Sequence, residues 1–169
     1  MESTCRTCGK LHDELAVAIP VTLPTKAAMI PRGRRPNRVW DNGEMCAVDG
    51  ANFYLYGSVS LAIHDHTGQF TWGAWAEVDE DLFLWFDDHL EAEGREREGP
   101  FRGTLGTDIP FYDCTLGMPL TIKVEPVGYR PTFVLDAVDH DLARDQSCGV
   151  TVERVQAFKD WFDSLRAGR

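Results

Sequence analysis

Residues 53–77 constrain the fold of this chain more than any other stretch. Phe53, Leu55, Val59, Leu61 and Ile63 fall on one face of an alternating pattern, with Tyr54, Tyr56, Ser58 and Ser60 opposite. A repeat of two marks a half-buried strand, because successive side chains leave opposite faces. His64 to Gly68 supplies turn residues. From Gln69 to Glu77 the pattern resumes, with Phe70, Trp72, Ala74 and Ala76 on one face and Trp75 on the other. Tryptophans placed this way in a strand read as core more readily than as an aromatic cleft.

Asp79 is positioned to cap a helix. Acids fill its first turn, Val78 can staple onto Phe83, and Leu82, Phe86 and Leu90 continue the stripe until Gly94 ends it. Residues 99–119 read as a connection punctuated by Gly and Pro. Leu120, Ile122 and Val124 mark a third strand, and Gly128 to Pro131 turn into a fourth through Phe133 and Leu135. A last helix begins near Thr151, with Val152, Val155, Phe158, Phe162 and Leu165 at helical spacing and Trp161 widening the stripe. Short turns between strands, with helices apart in sequence, predict an α+β fold. Its antiparallel sheet carries a packed C-terminal helix and an N-terminal zinc-knuckle-like segment.

The 169 residues suit one domain: a knuckle over 1–17, a Pro-rich basic arm over 18–40 and an α+β core over 41–169. Pro20, Pro24, Pro31 and Pro36 exclude a helix or central strand from the arm, which reads as extended. No stretch reaches the roughly 20 apolar residues of a membrane span. The opening Met1-Glu2-Ser3-Thr4 lacks the basic and apolar regions of a signal peptide, so a cytoplasmic location is expected. In that reducing compartment five cysteines read as metal ligands or buried thiols, not disulfides.

The net charge of −10 argues against nucleic-acid and membrane binding. It is unevenly placed. Lys26, Arg32, Arg34, Arg35 and Arg38 crowd the arm, whereas residues 77–98 carry ten acids against Arg95 and Arg97. This complementarity predicts that the arm folds back on the acidic run, and the run itself reads as a contact face for a basic protein partner.

Several ordered segments occur along the chain. They are Cys5-x-x-Cys8-Gly9-x-x-His12, Met45-Cys46-Ala47-Val48-Asp49, Phe53 to Leu61, and Phe70-x-Trp72-Gly73-x-Trp75. Gly103-x-Leu105, Pro110, Thr115-Leu116, Arg130-Pro131, His140-Asp141-Leu142-Ala143 and Gln146-x-x-Gly149 follow. Together they resemble the bacterial family catalogued as domain of unknown function 2199, over almost the whole length. Asp141 departs from the pattern, standing where a proline is expected. The resemblance brings no established activity.

Two thiols spaced as Cys5 and Cys8, followed by a glycine, form half of a zinc knuckle. Positions matching the resemblance add Cys46 as a third thiolate. His12 is the nearest imidazole, with His140 the second choice for the fourth ligand. Zinc is thus the expected cofactor. His64-Asp65-His66 also has metal-ligand spacing, but Thr67 and Gly68 favour a solvated turn.

His140 lies in a polar cluster with Asp139, Asp141, Arg144 and Gln146, and Arg130 can approach it. An imidazole beside carboxylates can serve as a general base, and the competing reading is a helix cap. No nucleophile elbow, phosphate loop or dinucleotide fingerprint is present. Two functions follow: a zinc-stabilised binding or regulatory domain with an acidic contact face, and, as the alternative, a small hydrolase-like enzyme using His140 with Asp139 or Asp141.

Overall fold

The two alternating segments pair as their pattern requires. In a computed structural model of the chain, Asn52–Ala62 lies antiparallel against Gln69–Val78, from Phe53 opposite Val78 to Ala62 opposite Gln69. The structure describes residues 2–4, 11–13, 18–64, 66–137 and 139–167, the first two groups by backbone alone. In chain order the strands are β1 (Glu2–Thr4), β2 (Leu11–Asp13), β3 (Ala18–Ile19), β4 (Val39–Asp41), β5 (Met45–Val48), β6 (Asn52–Ala62), β7 (Gln69–Val78), β8 (Phe101–Leu105), β9 (Pro119–Lys123) and β10 (Thr132–Leu135). The helices are α1 (Thr25–Ala28), α2 (Glu80–His89), α3 (Asp141–Cys148) and α4 (Val152–Ala167), with 3-10 turns at Arg32–Asn37 and Arg95–Arg97.

β6 to β10 form a meander that closes on itself. β10 returns to the second half of β6 through Thr132 opposite Ser58, and the Ser58 N–H donates to the Pro131 carbonyl at 3.0 Å. Gly57 permits this closure. A Cβ there would fall on the Phe133 ring and lie 2.5 Å from the Pro131 carbonyl oxygen. β5 and β4 extend the sheet from the first half of β6, and β3 joins β7. The β10–β6 and β3–β7 pairings are parallel, so the sheet is mixed and barrel-like, not the wholly antiparallel sheet that short turns predict.

The main core gathers Leu61, Phe70, Trp72, Leu120, Ile122 and Phe133 from the strands. α2 contributes Leu82, Phe83 and Phe86, α3 contributes Leu142, and α4 contributes Val155 and Phe158. A second core lies across the sheet, where Tyr54, Tyr56, Trp75, Cys46 and Val48 pack against Ala27 and Ile30 of the arm. The polar-looking face of β6 is therefore covered, because the arm lies on it.

The basic arm does not reach the acidic run by any ion pair among the described residues. Arg38 makes a two-point pair with Asp49 at 2.7 and 2.6 Å, and Arg35 donates to the Ile30 and Ala28 carbonyls. β8 replaces part of the expected connection over 99–119, and α3 is an additional helix. α2 stops at His89, while Gly94 adopts a left-handed φ of 82° at the head of a 3-10 turn. β1 and β2 form an antiparallel hairpin, with Ser3 opposite His12. The rest of the expected knuckle, including Cys5 and Cys8, lies outside the described residues.

Candidate functional site

α2 presents two unlike faces. Asp79 caps it, its Oδ1 accepting the Leu82 N–H at 2.8 Å, and Glu80 and Asp81 sit favourably at the positive end of the helix dipole. Leu82, Phe83 and Phe86 turn inward, with the Phe83 ring 4.9 Å from Phe53. On the outer face Leu84 is 52% exposed. Glu80, Asp81, Asp87 and Asp88 stand three and four residues away on either side of it, and all are exposed. Asp87 and Asp88 occupy the last turn, where the dipole is negative and acids are disfavoured.

The acidic surface continues past the helix through exposed Glu91, Glu93, Glu96 and Glu98. Arg95 does not neutralise it. Only 6% of this residue is exposed, and its guanidinium donates to the carbonyls of Leu90, Glu125, Pro126 and Tyr129. It closes the end of α2 onto the turn before β10. The ion pairs among the described residues join Arg38 to Asp49, Arg102 to Asp136, Arg130 to Glu44, Arg144 to Asp141 and Arg154 to Asp145. None uses a carboxylate of residues 79–98. Leu84 escapes a reading of the hydrophobic stripe because it falls off that stripe; its signal is an apolar residue ringed by acids at helical spacing.

His140 is occupied at both ring nitrogens. Nδ1 accepts the Leu142 N–H at 3.1 Å and caps α3, and Nε2 faces the Asp113 carbonyl at 2.6 Å. A carbonyl can only accept, so Nε2 carries the proton and Nδ1 is unprotonated. The ring has no lone pair left for a general base in this arrangement. The surrounding polar residues separate into distinct clamps. Asp141 pairs with Arg144, and Asp139 is exposed. Gln146 accepts the Leu135 N–H and donates to the Phe133 carbonyl, holding α3 to β10. Arg130 lies elsewhere, paired with Glu44 and 4.6 Å above the Tyr56 ring. Asp145, missed in the sequence, accepts from Tyr112 at 2.7 Å and from Arg154 at 2.8 Å, tying the 106–118 loop, α3 and α4 together.

Among the described residues no group of three or more His, Cys, Asp or Glu converges on a metal-sized site. Cys46 is fully buried in the second core. Burial, with a smaller contribution from the Asp41 charge, pushes its thiol up to about 12. His64 donates from Nε2 to the Cys148 carbonyl at 2.8 Å, and the His66 Nδ1 accepts the Gly68 N–H, as expected of a turn. No helix among the described residues is long and apolar enough to cross a membrane.

A family model described as an uncharacterized protein conserved in bacteria (DUF2199) matches residues 4–150, nearly all of the fold laid out above. The chain belongs to this family. The DUF2199 match stops before α4, although Phe158 of that helix is fully buried against Phe70 and Trp72 of the matched region. Neither a curated protein nor a solved structure matches the chain.

Proposed function

We propose that this protein works by protein contact, through the acidic face of α2 and the turn that follows, and that its partner presents a basic surface. One observation carries the reading: Leu84 stands half exposed among four carboxylates that no cation of the described residues pairs. An apolar centre inside a charged rim is the usual anatomy of a protein interface. The position of Asp87 and Asp88 at the unfavourable helix end supports it, since their charge costs the helix stability and gains a rationale only from something outside it. The alternative, hydrolysis centred on His140 with Asp139 or Asp141, meets an imidazole committed to two backbone groups.

The test uses the partner that the protein retains from its native cell. Asp87→Lys, Asp88→Lys and Glu91→Lys together should abolish retention of a basic protein, and Leu84→Ala should weaken it, while His140→Ala leaves it intact. Added salt should weaken the wild-type complex by screening. Equal retention by the charge-reversed protein would end the proposal.

Zinc enters the proposal through the β1–β2 hairpin. Cys5 and Cys8 lie in the segment joining two paired strands, and His12 belongs to the second of them. Cys5, Cys8, His12 and the free thiol Cys46 are the residues that would hold the ion, while His140 is committed to capping α3. A zinc content near one per chain is expected, falling in Cys5→Ser and Cys8→Ser. Elemental analysis that finds the same zinc content in both variants as in the wild type would exclude this site.

A further inference from the structure

β4 is a terminal strand of the sheet, with only β5 beside it among the described residues. We propose that it pairs antiparallel with β4 of a second copy, about a two-fold axis at Trp40. The backbone bonds at its ends define the geometry. The Asp49 N–H donates to the Arg38 carbonyl at 2.7 Å, and the Asn42 N–H donates to the Met45 carbonyl at 3.1 Å. Hydrogen-bonded pairs alternate along an antiparallel ladder, so Arg38, Trp40 and Asn42 turn their main-chain groups toward β5. Val39 and Asp41 then turn theirs outward. Each copy offers two residues of unpaired N–H and C=O in register for the other, Val39 opposite Asp41 and Asp41 opposite Val39.

Two further observations select a second copy over a foreign strand. Charge runs in one direction along this edge. Arg32, Arg34, Arg35 and Arg38 precede β4, Asp41 is its last residue and Glu44 follows it. An antiparallel copy sets the cations of each chain beside the acids of the other, whereas a parallel copy would stack like charges. Arg32 and Arg34 are exposed and join none of the ion pairs among the described residues, so they are free to supply that complementarity. Trp40 lies at the centre of the strand and is 50% exposed although its ring meets Phe83 edge-on at 6.1 Å. In the proposed register the two tryptophans form the pair across the axis, where facing side chains approach most closely. A central tryptophan with a polar surround is the residue type that dominates interface energies. Pairing would also cover an edge that otherwise offers a template for uncontrolled association.

The experiment is light scattering and sedimentation of the full chain across a wide concentration range. A dimer is expected that loosens as salt rises. Trp40→Asp should weaken it on the order of tenfold or more. Asp41→Pro removes an outward N–H together with the Oδ1 that accepts the Gly43 N–H at 2.8 Å, so it should weaken the dimer more than Asp41→Ala, which removes the Oδ1 alone. Trp40→Cys, with Cys114→Ser and Cys148→Ser, should oxidise to a covalent dimer linked from position 40 to position 40. A chain that is monomeric at every concentration overturns the proposal. So does a dimer indifferent to both Trp40→Asp and Asp41→Pro, or one whose cross-link forms only elsewhere.

Discussion

The imidazole of His140 accepts from the Leu142 N–H and donates to the Asp113 carbonyl, so replacing it removes two hydrogen bonds at once. His140→Ala should cost about 0.5–2 kcal/mol, the usual loss for a helix N-cap. His140→Asn, whose side-chain oxygen can still cap α3, should recover part of that loss in urea denaturation. Equal stability of His140→Ala and wild type would show that the ring is free for another task. Cys46 makes a second prediction at this scale. Its thiol lies well above the ordinary value of 9.0 because burial penalises the thiolate. A folded pKa above the unfolded one contributes stability that is complete below pH 9 and is lost as pH rises toward 12. Melting temperature should therefore fall between pH 9 and 12 more steeply in wild type than in Cys46→Ala. At pH 8 an alkylating reagent should reach exposed Cys114 and Cys148 long before Cys46. Parallel pH profiles for the two proteins would refute the argument.

At the scale of elements, stability and contact pull in opposite directions on α2. Asp87→Lys and Asp88→Lys place cations at the negative end of the helix dipole, each contributing typically 0.3–1 kcal/mol at an exposed site and low salt. The substitutions that weaken the partner complex should accordingly raise the melting temperature. A reversed protein that melts lower would mean that these acids support the fold. The same element shows what the sequence made legible and what it did not. The cap at Asp79 and the inward stripe follow from side-chain chemistry and spacing, and both appear as read. The helix nevertheless stops at His89, where the Nδ1–H of its own last residue bonds back to the Trp85 carbonyl and the ring stacks on Trp85 at 4.4 Å. β8 escaped because Gly103 weakens its alternation, yet a Cβ there would lie 2.8 Å from the Glu77 carbonyl oxygen, so glycine is what lets this strand pack on β7. α3 escaped because its eight residues are mostly polar and bury only Leu142 and Ala143.

For the molecule as a whole, the hidden parts are those set by partners distant in sequence. Closure of the barrel rests on the single parallel contact between Thr132 and Ser58, which no local period announces. The arm is the other case. Its prolines exclude long helices and central strands, but they do not say where it lies. Charge alone pointed to the acidic run, yet exposed ion pairs contribute only about 0–1 kcal/mol, while burying an aliphatic side chain contributes about 1.5–3. Burial wins. Ala27 and Ile30 are buried beside Tyr54 and Trp75, the Trp75 Nε1–H donates to the Val21 carbonyl at 3.2 Å, and the Thr25 N–H donates to the Gly106 carbonyl at 2.9 Å. An arm held in this way should respond to core truncation and not to ionic strength. Trypsin cleavage after Arg34 should keep nearly the same rate from low to high salt, with Arg38 and Asp49 the arm's only ion pair among the described residues to be screened. Ile30→Ala should speed that cleavage and cost about 2–5 kcal/mol of global stability. If salt alone frees the arm, or if Ile30→Ala leaves both cleavage and melting unchanged, the second core does not hold it.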